Sequence, residues 1–518
     1  MKKVITACIL SLTVLTVSTF GSSWWQDAVF YEVFVRSYYD SDADGIGDLK
    51  GLQMKLDYIK ELGANALWLM PIFKSPSYHG YDTADYYQVN EDYGTVEDLH
   101  SLLAEADKRG IRIILDLAVN HTSSDHPWFQ KSAENTPDYN DWYVWEKNRP
   151  AEKQYEYGKA EPVQNRRWHY NDKREQFYYA HFTEKMPDLN LDNPAVRQEV
   201  KKIAKFWLDK GIAGFRLDAA QHIIEDGSEE MQPDTPSTVR WWVEFNQYVK
   251  SVNPRAVLVG EVWSEHRFIS KYYADRKGLD LCFDFPFQIN TLKTVGSGNV
   301  KSFIDMVTAK KQLPAPLFFY APFLANHDQD RYMTSLKNDF AKARIAAVIL
   351  FSAPGTPFIY YGEEIGMYHP GDRRTHLPIR TPMQWEDTQV TAGFTTNKNP
   401  WCGLNNNKDP YNVRYQQQSP DSLLKLYQKL IRLRLKYPEL RYGDYKFHCV
   451  GENVLAYERV YNNKAILVLI NPQDKDQTIH SRHISGTYHN LLNGKIIEIA
   501  TQHTVPAGGY YLLDQMEK

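Results

Sequence analysis

Four short stretches place acids where they could do chemistry. GIAGFRLDAA (211–220) brings Arg216 and Asp218 two positions apart. On a strand that spacing puts both side chains on one side. A guanidinium beside a carboxylate favours the ionised form, the state a nucleophile needs. AVLVGEVW (256–263) sets Glu261 at the end of an apolar run and next to Trp263, where burial would raise a carboxyl toward the range of a general acid. DLAVNH (116–121) carries Asp116, Asn120 and His121, and FLANHD (323–328) ends in His327 and Asp328. Arg216–Asp218 alone could be a structural ion pair. Acids that converge with His and Arg, without Cys or His at zinc spacing, suit glycosidic chemistry. One carboxylic acid protonates the leaving oxygen, and one carboxylate meets the oxocarbenium-like carbon.

These stretches have to be held at the ends of strands. Eight strand-like segments recur along the chain: 29–35, 66–72, 111–118, 212–218, 256–261, 279–284, 322–327 and 357–361. Helical patterns separate them, at 49–62, 95–109 (Thr95 as cap, Gly110 as stop), 194–210, 237–251, 300–311 and 339–351. Strand–helix alternation predicts a parallel sheet, and eight units predict a closed (β/α)8 TIM barrel. Between the third and fourth strands, residues 120–192 break the rhythm and are rich in Trp, Tyr and Asn, which predicts an inserted domain B. From about residue 442 the chain turns to short alternating strands with turn signals at Asn462-Asn463 and Asn493-Gly494, predicting a C-terminal antiparallel β-sandwich. The expected division is 1–22 signal peptide, 23–119 first part of the barrel, 120–192 domain B, 193–441 second part of the barrel and 442–518 β domain.

Composition narrows the partners. The net charge of the 518 residues is −4 and no basic stripe stands out, which argues against nucleic acid. The chain has 13 Trp and 35 Tyr, which serve equally as core or as platforms for sugar rings. Lys2 and Lys3 precede a short apolar run and small residues, the pattern of a secretory signal, so a secreted or periplasmic protein is expected. No other stretch is apolar for long enough to cross a membrane. Removing the signal takes Cys8 with it and leaves Cys282, Cys402 and Cys449, at most one disulfide. A monomer is expected.

Taken in order and at their spacing, DLAVNH, GFRLDAA, GEVW and FLANHD resemble the four conserved regions of the α-amylase family, glycoside hydrolase family 13. MPDLN (186–190) resembles the fifth, and the resemblance spans nearly the whole chain. It implies a retaining mechanism with Asp218 as nucleophile, Glu261 as acid/base and Asp328 as transition-state stabiliser. It further implies that His121, Arg216, His327 and Tyr81 grip the sugar in subsite −1. By the same resemblance, Asp82 and Arg380 (in IRTPMQW) form a salt bridge that closes subsite −1 around a terminal glucose. Ala219, where strict α-1,6-glucosidases of the family often carry a β-branched residue, and MPDLN together place the chain nearest the intermediate group between oligo-1,6-glucosidases and neopullulanases.

One further loop invites a metal. DSDADGIGDLKG (40–51) sets Asp40, Asp42, Asp44 and Asp48 at near-alternating positions, with Gly45 for a sharp turn. Hard oxygen donors at this spacing suit Ca²⁺. Position twelve from Asp40 is Gly51 rather than Glu, so this is no EF-hand. The loop resembles the first-loop metal site of oligo-1,6-glucosidase-like enzymes, which adds the Ile46 carbonyl as a ligand. The resemblance also points to a second site using Asn120, whose other ligands have no match here. The expected function is hydrolysis of α-1,4 bonds in starch-derived maltooligosaccharides, with transglycosylation. The alternatives are an exo-acting α-glucosidase, a trehalose-forming isomerase, or a family member without catalysis.

Overall fold

The computed structural model describes residues 23–150, 167–224, 233–370, 375–388, 390–405 and 408–516; the expected signal at 1–22 lies outside them. Eight strands form the barrel: β1 (Phe30–Val33), β2 (Ala66–Leu69), β3 (Arg112–Leu117), β4 (Gly214–Leu217), β5 (Val257–Gly260), β6 (Leu281–Phe283), β7 (Tyr320–Ala321) and β8 (Phe358–Tyr360). They lie in the order β7-β6-β5-β4-β3-β2-β1-β8, and every neighbouring pair is parallel. The ring closes between β7 and β8, where the Phe358 N–H donates to the Pro322 carbonyl at 2.9 Å and the Thr356 N–H to that of Tyr320 at 3.1 Å.

The seventh strand starts and stops earlier than its apolar pattern predicts. Pro322 accepts from β8 but has no N–H to continue the ladder, so 322–327 runs on as a loop. The first crossover helix is likewise two, Leu49–Met54 and Leu56–Leu62, broken at Lys55 with ψ near 4°. The other crossovers follow their patterns. Val96–Lys108 begins in a capping box in which Thr95 and Asp98 satisfy each other's backbone N–H. Pro194–Asp209, Pro236–Val252, Lys301–Lys311 and Phe340–Ser352 pack on the outside of the barrel.

Which strand residues face inward decides where the chemistry lies. Phe30, Trp68, Ile114, Val257, Val259, Leu281, Phe283 and Phe358 form one buried cluster inside the ring, with Phe30 stacked on Phe358 at 4.4 Å. The period of two carries the same face upward from Phe30 to Glu32, from Ile114 to Asp116 and from Val259 to Glu261. Gly214 makes the close packing possible. Its φ is +148°, and a Cβ there would lie 2.0 Å from the Val257 carbonyl oxygen of β5.

After β3 the chain leaves the barrel and builds a three-stranded antiparallel sheet from Trp145–Glu146, Trp168–Asn171 and Gln176–Tyr179. Much of its aromatic content is core: Phe129 stacks on Trp145 at 5.6 Å and meets Tyr143 and Tyr178 edge-on. Bridges from His121 to Asp188 and from Tyr143 to Leu189 tie this region back to the end of β3.

The C-terminal region is a six-stranded antiparallel sheet facing a two-stranded one, Gln477–His480 with Gln502–Val505. Leu467, Leu469, Ile479 and Val505 share the core between them. Asn462 and Asn463, with φ of 48° and 63°, make the tight turn joining its two longest strands. Two buried arginines lie at the junction with the barrel, and Arg459 reaches across it. Arg434 donates to the carbonyls of Phe351, Ala353 and Leu440, and Arg459 to those of Ser352, Leu440 and Gly443. Cys282, Cys402 and Cys449 are all free thiols.

Candidate active site

The carboxyl ends of β1, β3, β4 and β5 and the loop after β7 converge on Arg216. Its side chain is fully buried. Nη1 lies 2.6 Å from Asp218 Oδ1 and 3.0 and 3.1 Å from the two oxygens of Asp116. Nη2 makes a 2.9 Å ion contact with Glu261 Oε2, outside hydrogen-bond geometry. The guanidinium also sits 5.0 Å over the face of Trp68. Arg216 thus serves three acids rather than Asp218 alone. Strand β4 presents Arg216 and Asp218 on one side, and ladder bonds run from Asp218 N–H to Leu117 and from Glu261 N–H to Leu217.

Glu261 meets a different field. Burial pushes its carboxyl up to about 7; Arg216 pulls it down, while Asp218 and Asp328 push it up. The Ala219 N–H donates to its Oε2 at 3.0 Å. Trp263 does not cover it, contrary to the expectation from sequence. That ring is 42% exposed and stacks flat on Phe285 at 4.6 Å, so the burial comes from the barrel itself. Asp116, equally buried, is pushed up to about 6 by burial, against Arg216 and with the help of Asp218.

The opposite wall is cationic. His327 Nδ1 lies 2.6 Å from Glu32 Oε1, and Nε2 lies 2.8 Å from Asp328 Oδ2 and 2.6 Å from the Tyr81 hydroxyl. Burial favours the neutral ring, but Asp328 and Glu32 together raise His327 to about 9. Burial also opposes charge on Asp328, yet His327 and Arg380 hold it well below the usual carboxylate range. Tyr81 stacks on His327 at 5.4 Å and donates to Asp116 Oδ2 at 3.0 Å. The His121 ring nitrogens lie 3.0 Å from Asn120 Oδ1 and 3.2 Å from the Tyr81 carbonyl. Phe182, 39% exposed, meets His121 edge-on at 5.1 Å.

The expected Asp82–Arg380 bridge does not form. Arg380 turns its fork onto one turn of chain: Nη2 donates to Asp328 Oδ1 at 2.7 Å and Nε to the His327 carbonyl at 2.9 Å. Asp82 is held instead by the hydroxyls of Ser75, at 2.7 Å, and Ser77. The Arg380 guanidinium is already engaged by an acid and a carbonyl, and two hydroxyls five and seven residues upstream meet the Asp82 carboxylate.

In the acidic loop, ligand atoms of Asp40, Asp42 and Asp48 lie within 4.8 Å of one another. Asp44 stands apart from the group, its Oδ1 accepting the Ile46 N–H at 2.7 Å. Asp40 accepts from the N–H groups of Asp42, Ala43 and Gly45, and Asp48 caps the helix Leu49–Met54 through Gly51. Burial and repulsion from Asp42 and Asp40 raise Asp44. The Asn120 amide is taken up by the His222 carbonyl at 2.9 Å.

Sequence reasoning missed Glu32 and did not separate Asp116 from its neighbours as a partner of Arg216. Glu32 had one signal: an acid in the apolar run VFYEVFV, at an inward position of β1.

Residues 32–443 match the family described as alpha amylase, catalytic domain. The chain is 41% identical over 477 residues to alpha-amylase 3 of Dictyoglomus thermophilum, spanning 91% of this chain and 90% of that protein. It is 34% identical over 519 residues to the oligo-1,6-glucosidase of Parageobacillus thermoglucosidasius, spanning 87% and 91%. Among solved structures, the alpha-amylase from H.orenii superposes with a TM-score of 0.81 at 36% identity, covering 94% of this chain and 99% of that one. These matches, with the acids at the carboxyl ends of the barrel strands, make the chain a glycoside hydrolase. It belongs to the α-amylase family.

Ala219 carries the clearest local constraint. Its φ of 45° and ψ of 37° are left-handed, and its N–H is the donor to Glu261. A β-branched residue is strained in that region. Ala219→Val should lower unfolding stability by about 1–2 kcal/mol and reduce kcat, whereas Ala219→Gly should keep both near the parent values. Denaturant midpoints and steady-state rates on a maltooligosaccharide check this.

Proposed function

We propose an exported, retaining hydrolase of α-1,4-glucosidic bonds in starch-derived maltooligosaccharides, with transfer to a second sugar as a side reaction. The observation that carries the mechanism is the reach of one guanidinium to both Asp218 and Glu261. That reach requires the two carboxyl groups to be only a few ångströms apart, and retaining enzymes use a separation of ~5–5.5 Å. Asp218, paired with Arg216, attacks the anomeric carbon while Glu261 gives its proton to the departing oxygen. A covalent glycosyl-enzyme forms. Glu261, now ionised, takes a proton from water or from a sugar hydroxyl, which displaces Asp218. Asp328 stabilises the positive charge that develops at the sugar in both steps, and His121, His327, Tyr81 and Arg216 hold that sugar.

The Glu261 field fits an acid that must be protonated near neutrality. The 41% identity to an alpha-amylase supports action within chains, and kinship to an oligo-1,6-glucosidase keeps an exo-acting α-glucosidase as the second reading. The exo reading loses one support, because Asp82 and Arg380 do not pair. All three acids are present and positioned, which speaks against a non-catalytic member. Among the described residues, no helix is long and apolar enough to cross a membrane.

We further propose that the loop at 40–48 takes up Ca²⁺ through Asp40, Asp42 and Asp48. Three hard carboxylates meeting within 4.8 Å fit that ion, whose charge would offset their repulsion. Asp44 and the Ile46 carbonyl remain as further oxygens of the same loop.

Four outcomes follow. Because Glu261 must hold its proton, kcat/KM on maltooligosaccharides should fall ~tenfold per unit as pH rises above about 7. Glu261→Gln should lose ~10²–10⁴-fold, and azide should restore turnover of α-glucosyl fluoride as the α-glucosyl azide. Digestion of maltoheptaose should release maltose and maltotriose early; glucose alone would establish the exo reading. Strong chelator should lower the melting temperature by several degrees, and Ca²⁺ should restore it; an unchanged Tm rules out a structural ion at this loop.

A further inference from the structure

We propose that Glu32 is a positioning residue for the reaction: its carboxylate holds the proton on His327 Nδ1, so that His327 presents Nε2–H to Asp328 as a charged donor. This rests on the reading of Asp328 as the stabilising acid.

The geometry fits two protons on the ring. Nδ1 lies 2.6 Å from a carboxylate oxygen of Glu32, and Nε2 lies 2.8 Å from one of Asp328. An ionised carboxylate only accepts, so a ring set between two of them donates from both nitrogens. Tyr81 does not supply the proton to Nε2, because its own hydroxyl donates to Asp116 at 3.0 Å and so accepts from His327 at 2.6 Å. Glu32 is fixed from behind. It is the third residue of β1, paired on one side with Trp68 of β2 and on the other with Tyr360 of β8. Its Oε1 also accepts the His327 backbone N–H at 3.3 Å.

The surrounding charges leave this task to Glu32. Burial raises the Glu32 carboxyl above its ordinary range; the facing His327 ring and Arg216 from β4 favour its charge and Asp328 opposes it, with Tyr360 and Glu363 on the β8 side also within its field. His327 faces Asp116 from β3 as well as Glu32 and Asp328, with Trp68 edge-on at 5.5 Å. Asp328 can shift its loading on Nε2 when charge develops on the sugar. Glu32, buried and on the other ring nitrogen from Asp328, remains to keep the imidazolium charged. The charged ring holds Asp328 through the same Nε2–H, an interaction stronger than that of a neutral imidazole.

The test separates this proton from that of Glu261. α-Glucosyl fluoride leaves as fluoride without protonation, so its turnover does not require Glu261 in the acid form. Wild type should keep kcat on this substrate as pH rises past 7, to a limb near the His327 value of about 9. In Glu32→Gln the hydrogen bond can persist but the charge is gone. The high-pH limb should move down by more than one unit, and kcat should fall about tenfold with KM within about threefold. In a His327→Asn background, Glu32→Gln should add no further loss. Superimposable profiles of Glu32→Gln and wild type, or full additivity with His327→Asn, overturn the proposal. If Glu32→Gln does not fold, Glu32→Asp carries the test. Its shorter carboxylate should move the limb partway down, and an unmoved limb has the same negative meaning. A wild type inactive on α-glucosyl fluoride would instead count against the retaining assignment itself.

Discussion

A guanidinium with no access to water has to be solvated by the protein, and Arg216 is solvated by three carboxylates. Its burial would be prohibitively costly without them, and theirs without it. The contacts are unequal. Asp218 has a 2.6 Å hydrogen bond, Asp116 is gripped at both oxygens, and Glu261 has only the 2.9 Å ion contact. Of the three acids around this cation, burial pushes Glu261 up to about 7 and Asp116 to about 6, and Glu261, with the loosest contact to Arg216, is pushed highest. An acid catalyst requires such a carboxyl.

The second cationic group follows from the first. With Arg216 committed to the β3–β5 side, Asp328 needs its own counter-charges, and His327 and Arg380 provide them. Arg380 is thereby spent, which explains why Asp82 finds its partners in serine hydroxyls instead. Tyr81 joins the two halves, accepting from His327 and donating to Asp116. The pocket is thus one connected polar network rather than a set of separate pairs, so a change at one member is expected to be felt by the others.

The aromatic excess divides along similar lines. Trp68, Trp207, Trp241 and Trp242 are fully buried, and the inserted region spends Phe129, Tyr143, Trp145 and Tyr178 on its own core. Trp263 and Phe182 stay open beside Glu261 and His121. Composition could not tell these uses apart, because an indole is equally good at filling a core and at facing a sugar ring.

Much of the fold was legible in the residues because its signals are local. Alternation of β-branched runs with capped helices needs only a window of some fifteen residues to be read, and seven of the eight barrel strands lie within such runs, β7 falling just before its own. The period of two also fixed that Arg216 and Asp218 share a side. The failures had equally definite causes: a proline ended β7 early, and the surroundings of Trp263 came from Phe285, far along the chain. Partnership was the part the sequence could not determine. Arg216 meets Asp116 across 100 residues, and His327 meets Glu32 across 295. Such pairings are made by closing the ring, which brings inward positions of separate strands to one level. The residues by themselves determined which groups could ionise, and the closed barrel decided which of them share a proton.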